Sequence, residues 1–326
     1  MRAALAVQLR SRRTWVFGAI LVAVALVLAM LPLFGALGFE FSFVMAIAAS
    51  VAAADLGAAL TRRLRATAAA DTTSPPARPF HLVASLVAAA GLLALLSTLV
   101  PLALIALNST RVRTCDWLFG FECYGALTIL SALWASGMGV LCALLAGRRR
   151  VLSNALPHLV LVALVLHSLW RFYAAPPVFS YNPLVGYFPG NLYDEEIRLG
   201  TPLLWSRLHQ FALLGGLLAL TAALIDGPAA ALRLHVRRPA GVRWGALLLS
   251  AAALGLALIL RVNAGSLGFS IATAALTEEL NGEAMTEHFV IYYPRGGEIE
   301  RDIARIASDH EFRLAQVVRA LGVSPP

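Results

Sequence analysis

His310 and Glu311, in the stretch ASDHEFRLAQVVRALG, have the opening spacing of an H-E-x-x-H helix, where two histidines one turn apart hold zinc and the glutamate acts as base. The position of the second histidine is Leu314. Three adjacent acids, Asp194, Glu195 and Glu196, offer a docking site for a cation, a peptide amine or the outer domain. Cys115 and Cys123, in RTCDWLFGFEC, are spaced to close a small disulfide loop. Within apolar stretches, Asp55, His167, Arg207 and His209 are the ionisable groups that an ion or proton path would use. What any of these can do depends on the elements that position them.

The chain of 326 residues is 59% hydrophobic and only 13% charged, which excludes an ordinary soluble domain and assigns it to a bilayer. All 26 basic residues are Arg, and Ala and Leu dominate the apolar set, the usage of a GC-rich bacterial genome. Seven apolar runs predict helices at Trp15 to Leu37, Phe41 to Leu60, Phe80 to Leu107, Tyr124 to Ala146, Leu156 to Trp170, Leu203 to Ile225 and Trp244 to Arg261. Most reach the ~20 residues that cross a ~30 Å hydrocarbon core. The fifth reads as short or tilted, because Pro157 and His158 stand at its start and His167 interrupts it. The fold class is therefore an α-helical integral membrane protein with a seven-helix module at residues 1–262. The apolar core of the first run is longer than that of a signal peptide, so it is expected to stay as an anchor.

Arginines fall mainly in alternate gaps: before the first run, between the second and third, after the fourth, and between the sixth and seventh. The positive-inside rule makes those gaps cytoplasmic, so the N-terminus faces the cytoplasm and the C-terminus lies outside a bacterial inner membrane. Cys115 and Cys123 then fall in an extracytoplasmic gap, where oxidation is permitted. The aromatic segment FYAAPPVFSYNPLVGYFPGNLYDEEIR reads as an interfacial belt capping the bundle, with the acidic docking site as the alternative. Asp55, Arg207 and His209 stand near span ends, where long side chains can reach toward water. No acid pair, repeat or broken-helix pair marks a transport path. No basic face with interleaved aromatics suggests nucleic acid. Tracts such as AIAASVAAADLGAA and LLGGLLALTAA permit close helix packing.

From Asn263 the composition becomes polar, so residues 263–326 read as the start of an extracytoplasmic α/β segment. SIATAALTEELNG predicts a short helix ending at Asn281 and Gly282, EHFVIYYP one strand, and RGGE the turn into a last helix. There Ile299, Ile303, Ile306, His310, Leu314, Val317 and Leu321 form one apolar stripe, which makes His310 a half-buried structural histidine. Asp302, Arg305, Asp309 and Arg313 are spaced for mutual pairing. One strand without a partner encloses no core, so the segment is expected to be incomplete, cut within a domain.

The run EHFVIYYPRGGEIERDIARIASDHEFRLAQVVRALGVSPP resembles the opening of gluzincin-type, peptidase-MA-like domains, in which an HF-x-I-x-Y strand leads into a long helix and then an LG and a Pro. The seven-span front with YNPLVGYFPGNLYDEE is similar to multi-pass membrane proteins of GC-rich bacteria that carry such a domain outside. The resemblance implies a zinc metallopeptidase, or a relic of one, acting on peptides, with its H-E-x-x-H beyond Pro326. It places no catalytic, cofactor or metal residue in this chain, where the expected role is that of a membrane anchor module. The alternative is a transporter or transport-system subunit with a periplasmic docking tail.

Overall fold

The computed structural model describes residues 8–70, 79–112, 114, 116–174, 180–188, 197, 199–226, 231–232, 244–270 and 273–323. Two compact units divide the chain, Met1–Ser270 and Ile271–Pro326. Residues after the last long apolar helix still belong to the first unit, since Ala264 is buried, Phe269 packs against His209 and Ser270 accepts from Arg171.

The first unit contains α1 (Arg12–Met30), α2 (Phe39–Ala70), α3 (Pro79–Arg111), α4 (Trp117–Cys123), α5 (Leu130–Ala146), α6 (Arg150–Ala174), α7 (Thr201–Leu224) and α8 (Trp244–Val262). Seven spans are long and apolar enough to cross a bilayer, with α4, a π turn at Tyr124–Ile129 and α5 joined into one of them. The chain is thus an α-helical, multi-pass membrane protein. Its first helix stops at Met30 rather than Leu37, because Pro32 disfavours helical backbone at Leu31, which is extended. Its fourth span begins earlier than Tyr124, where Asp116 caps the helix by accepting from Phe119 N at 2.9 Å.

The fifth span corrects the expectation of a short helix: α6 runs for 25 residues with Pro157 inside it. Proline removes the N–H that would bond to the Ser153 carbonyl. Arg62 of α2 replaces it, donating from Nη1 to Ser153 O at 3.0 Å. Helix α3 also contains a proline, Pro101, and one turn before it the Thr98 carbonyl accepts from Tyr124 Oη at 2.7 Å.

The spans at α2 and α4–α5 form the centre, 72% and 78% buried, whereas those at α1, α6 and α8 are only 17%, 17% and 22% buried. Small residues explain the centre. A Cβ at Gly57 would lie 2.2 Å from Ser136 O, and one at Gly139 would lie 2.0 Å from Ala54 O, so α2 and α5 meet backbone to backbone. Phe41, Met45, Leu86 and Tyr124 fill the space around this seam. On the outer helices Leu159, Leu166, Leu248 and Leu258 are exposed, as lipid-facing side chains are.

The second unit, described by itself, holds α9 (Thr273–Leu280), β3 (Asn281–Met285), β4 (Val290–Pro294) and α10 (Glu298–Leu321), after the short hairpin strands β1 (Ser180–Asn182) and β2 (Gly186–Phe188) of the first. The expected lone strand has a partner: β4 pairs antiparallel with β3, from Asn281 opposite Pro294 to Met285 opposite Val290. NGEAM lacks the branched and aromatic residues that announce a strand. Its Gly282 allows the close pairing, since a Cβ there would be 2.5 Å from Tyr293 O. Helix α10 ends at Gly322, whose φ of 66° lets its N–H return to Val318 O.

Candidate functional site at an inserted hairpin

The aromatic segment after α6 does more than cap the bundle. Among its described residues, β1 and β2 pair antiparallel around a turn at Pro183–Val185, and that turn is packed inside, with Leu184 only 3% exposed. Gly186, at φ +85°, makes the turn possible. Irregular backbone at membrane depth must find its hydrogen bonds within the protein. Here Ser50 of α2 donates to Leu184 O at 3.3 Å. Asn182 Nδ2 donates to Leu164 O of α6 at 3.1 Å, and Asn182 Oδ1 accepts from Leu184 N at 2.7 Å.

Arg207 of α7 is the common anchor. It is 3% exposed and turned inward, not extended toward water as its position near a span end suggests. Its Nη1 donates to Pro183 O at 3.0 Å and to Gln210 Oε1 at 3.1 Å. Its Nε and Nη2 donate to Ala126 O at 3.2 and 2.9 Å, and Nη2 also reaches Leu127 O and Ser131 Oγ. The π turn at Tyr124–Ile129 supplies those carbonyls, so one guanidinium ties a distorted helix to an irregular hairpin. A Cβ at Gly186 would come within 2.7 Å of Arg207 Nη2, which is the second reason for glycine there.

Beside this anchor lies a cavity of about 570 Å³ between α5, α6, α7 and the hairpin. Met138, Leu141 and Leu213 contribute to its apolar wall, and His167, Arg171, His209 and Arg261 supply a basic end; no carboxylate is among its described lining residues. His209 packs against Phe269, the rings 5.9 Å apart and inclined by 34°, and Arg171 donates to Ser270 Oγ. The structure therefore brings His167 and His209 to one cavity and connects Arg207 to it through Gln210. Such a space suits an amphiphile with a polar or acidic head.

Asp55 belongs elsewhere. It is 4% exposed, 3.4 Å from Arg13 Nε and 3.8 Å from His158 Nε2. Asp194, Glu195 and Glu196 lie outside the described residues, as does Cys115 of the expected disulfide. Cys123 is fully buried and a free cysteine.

In the second unit, His310 is exposed rather than half-buried. Its Nδ1 is 2.8 Å from Ile306 O and its ring meets Phe289 edge-on at 5.6 Å. No residue of α10 is buried among the described ones, because the two-stranded hairpin β3–β4 is the element it packs on. Glu311 points to the turn between β3 and β4, where it accepts from His288 N at 2.9 Å and sits 2.8 Å from His288 Nδ1. Hydrogen bonding from the Thr286 side chain, then from the His288 N–H, lowers its carboxyl from 4.5 to about 2. A carboxylate that weakly basic is a poor general base. Asp302 pairs with Arg305, and Asp309 with Arg313, as spaced. Among the described residues no cluster of three or more His, Cys, Asp or Glu could hold a metal.

Sequence reasoning missed Asn182, Gln210 and the Glu311–His288 link. Asn182 was signalled by the turn-forming N-P and Gly186 of YNPLVG, and Gln210 by its place one turn after Arg207. Fold and site together define a multi-pass helical membrane protein with an inserted hairpin held by a buried arginine. No family model, curated protein or solved structure matches the chain.

Proposed function

We propose that the chain is the membrane module of a zinc metallopeptidase of the peptidase-MA-like kind, its seven helices anchoring and orienting a unit on the extracytoplasmic side of a bacterial inner membrane. The observation that supports this reading is the order of the second unit: the VIYYP strand β4, a Gly296–Gly297 turn, and a 24-residue helix ended by Gly322. That is the order in the opening of the domain the sequence resembles. The described residues do not make a zinc site, so no catalytic step is assigned to them. The test is the coding sequence that follows the codon for Pro326, together with the zinc content of the full gene product. A downstream H-E-x-x-H and bound zinc support the proposal; a stop codon or the absence of both refutes it.

The cavity beside Arg207 favours a second reading, a transporter or transport-system subunit that handles an amphiphile with an acidic head. It predicts that His209→Ala or Arg261→Gln abolishes uptake or export at unchanged protein abundance. Wild-type flux in both variants would sink it.

A further inference from the structure

A second cavity, of about 750 Å³, opens at the end of the bundle that carries Asp55's partners. Arg12 and Arg13 reach it from α1, Arg62, Arg63 and Arg65 from α2, Arg148 from the link between α5 and α6, and Arg150 from the start of α6. Seven guanidinium groups thus surround one space, and no Asp or Glu is among its described lining residues. Collecting like charge in this way is unfavourable unless something anionic occupies the space.

Structural tasks account for part of the set. Arg65 caps the C-terminal end of α5, donating to Ala143 O at 2.6 Å, to Leu144 O at 3.0 Å and to Gly147 O. Arg13 faces Asp55. Arg62 spends Nη1 on Ser153, yet its Nη2 is buried without a hydrogen-bond partner. Arg12, Arg148 and Arg150 are exposed, and their side chains make no hydrogen bond or ion pair among the described residues. Helix α6 begins at Arg150, and Ser153 and Asn154 of its first turns line the same space, which adds the positive end of a helix dipole.

We propose that this cavity is a binding site for a phosphate-bearing anion. Guanidinium forks match phosphate oxygens in pairs, and two arginines already fixed by Ser153 and by the α5 carbonyls hold the site in shape before a ligand arrives. Two sources share that chemistry, the headgroup of an anionic phospholipid and a soluble phosphate compound.

The experiment separates them. The full chain is purified into nanodiscs of mixed phosphatidylglycerol and phosphatidylcholine, and retained lipid is measured by native mass spectrometry after release. In a parallel arm the detergent-purified chain is titrated calorimetrically with inorganic phosphate. Selective retention of phosphatidylglycerol assigns a lipid headgroup, and binding of inorganic phosphate assigns a soluble source. Arg148→Gln with Arg150→Gln should weaken the positive arm about ten-fold, whereas Arg149→Gln, between them but not among the lining residues, should change it less than about two-fold. Arg148→Lys with Arg150→Lys, which keeps charge but not the fork, should fall between. Circular dichroism of each variant confirms that the bundle is intact. An Arg149→Gln loss equal to that of the cavity pair, or no binding of either probe to the unaltered chain, overturns the proposal.

Discussion

Alanine at Gly139 tests whether the bundle is built on a backbone-to-backbone seam. The added methyl would lie 2.0 Å from Ala54 O and 2.8 Å from its carbonyl carbon, where ordinary contact begins at 3.4 Å. Neither atom is the end of a flexible side chain, so α2 and α5 must part by roughly 1 Å over a seam that buries Ala53, Ala54, Ala135 and Val140. Over-packing of this kind costs ~1–3 kcal/mol, and the rigidity of both partners places it at the upper end. The better helix propensity of alanine returns ~1 kcal/mol, leaving about 2 kcal/mol. At ~1.5 °C per kcal/mol for a chain of 326 residues, the melting temperature should fall about 3 °C. Thermal unfolding followed by circular dichroism in a single detergent provides the measurement. Gly215→Ala and Gly255→Ala are the controls, because nothing lies within 4 Å of a Cβ at either position. Gly57→Ala addresses the same seam from the other side, so the double variant should lose less than the two single losses combined. If Gly139→Ala and Gly57→Ala melt with the controls, the helices do not meet as described.

Three further outcomes follow from the anchor and from the second unit. Arg207→Lys keeps the charge but cannot serve five acceptors at once, so it should cost ~2–4 kcal/mol in the same melting assay, and Gly186→Ala should move in the same direction; a lysine variant as stable as its parent would refute the anchoring role. Glu311, whose folded value of about 2 lies below an ordinary 4.5, stabilises the packing of α10 on the hairpin above pH 4.5, and that contribution disappears as pH falls through about 2. An NMR titration of its carboxyl carbon should show the low midpoint, and Glu311→Gln should abolish the pH dependence; a midpoint near 4.5 would contradict the hydrogen bonding. His310→Leu should leave the melting temperature and the zinc content of the full gene product unchanged, and loss of zinc from a folded variant would make DHEFRL part of a metal site.

The spans were readable from the sequence because hydrocarbon thickness demands a minimum apolar length. Which helices lie at the centre was not, since helices that are apolar all round give no clue to their inward face. The tract around Gly57 did indicate close packing, but its partner Gly139 sits in an unremarkable apolar run. Arg207 was visible as an intramembrane charge, and its role was not, because its acceptors at Ala126 and Leu127 are about eighty residues away and become available through a π turn that no local pattern announces. Strand β3 escaped for the opposite reason: backbone geometry forms it, and its side chains say nothing of a strand. Glu311 drew notice as a catalytic base by its neighbour in the sequence, while its bond to His288 spans 23 residues and reverses that meaning.

The arginine anchor also bears on how the chain enters the membrane. Carrying Arg207 into a bilayer on an isolated α7 is unfavourable, by up to the ~2.5–3.5 kcal/mol that an arginine costs at a helix centre. Its acceptors at Ala126, Leu127, Ser131 and Pro183 all precede it in the chain, so during synthesis they reach the bilayer before α7 leaves the insertion machinery. The earlier spans then act as an internal receptor for the later one, and glycosylation mapping should find α7 inserted less efficiently alone than behind residues 117–188.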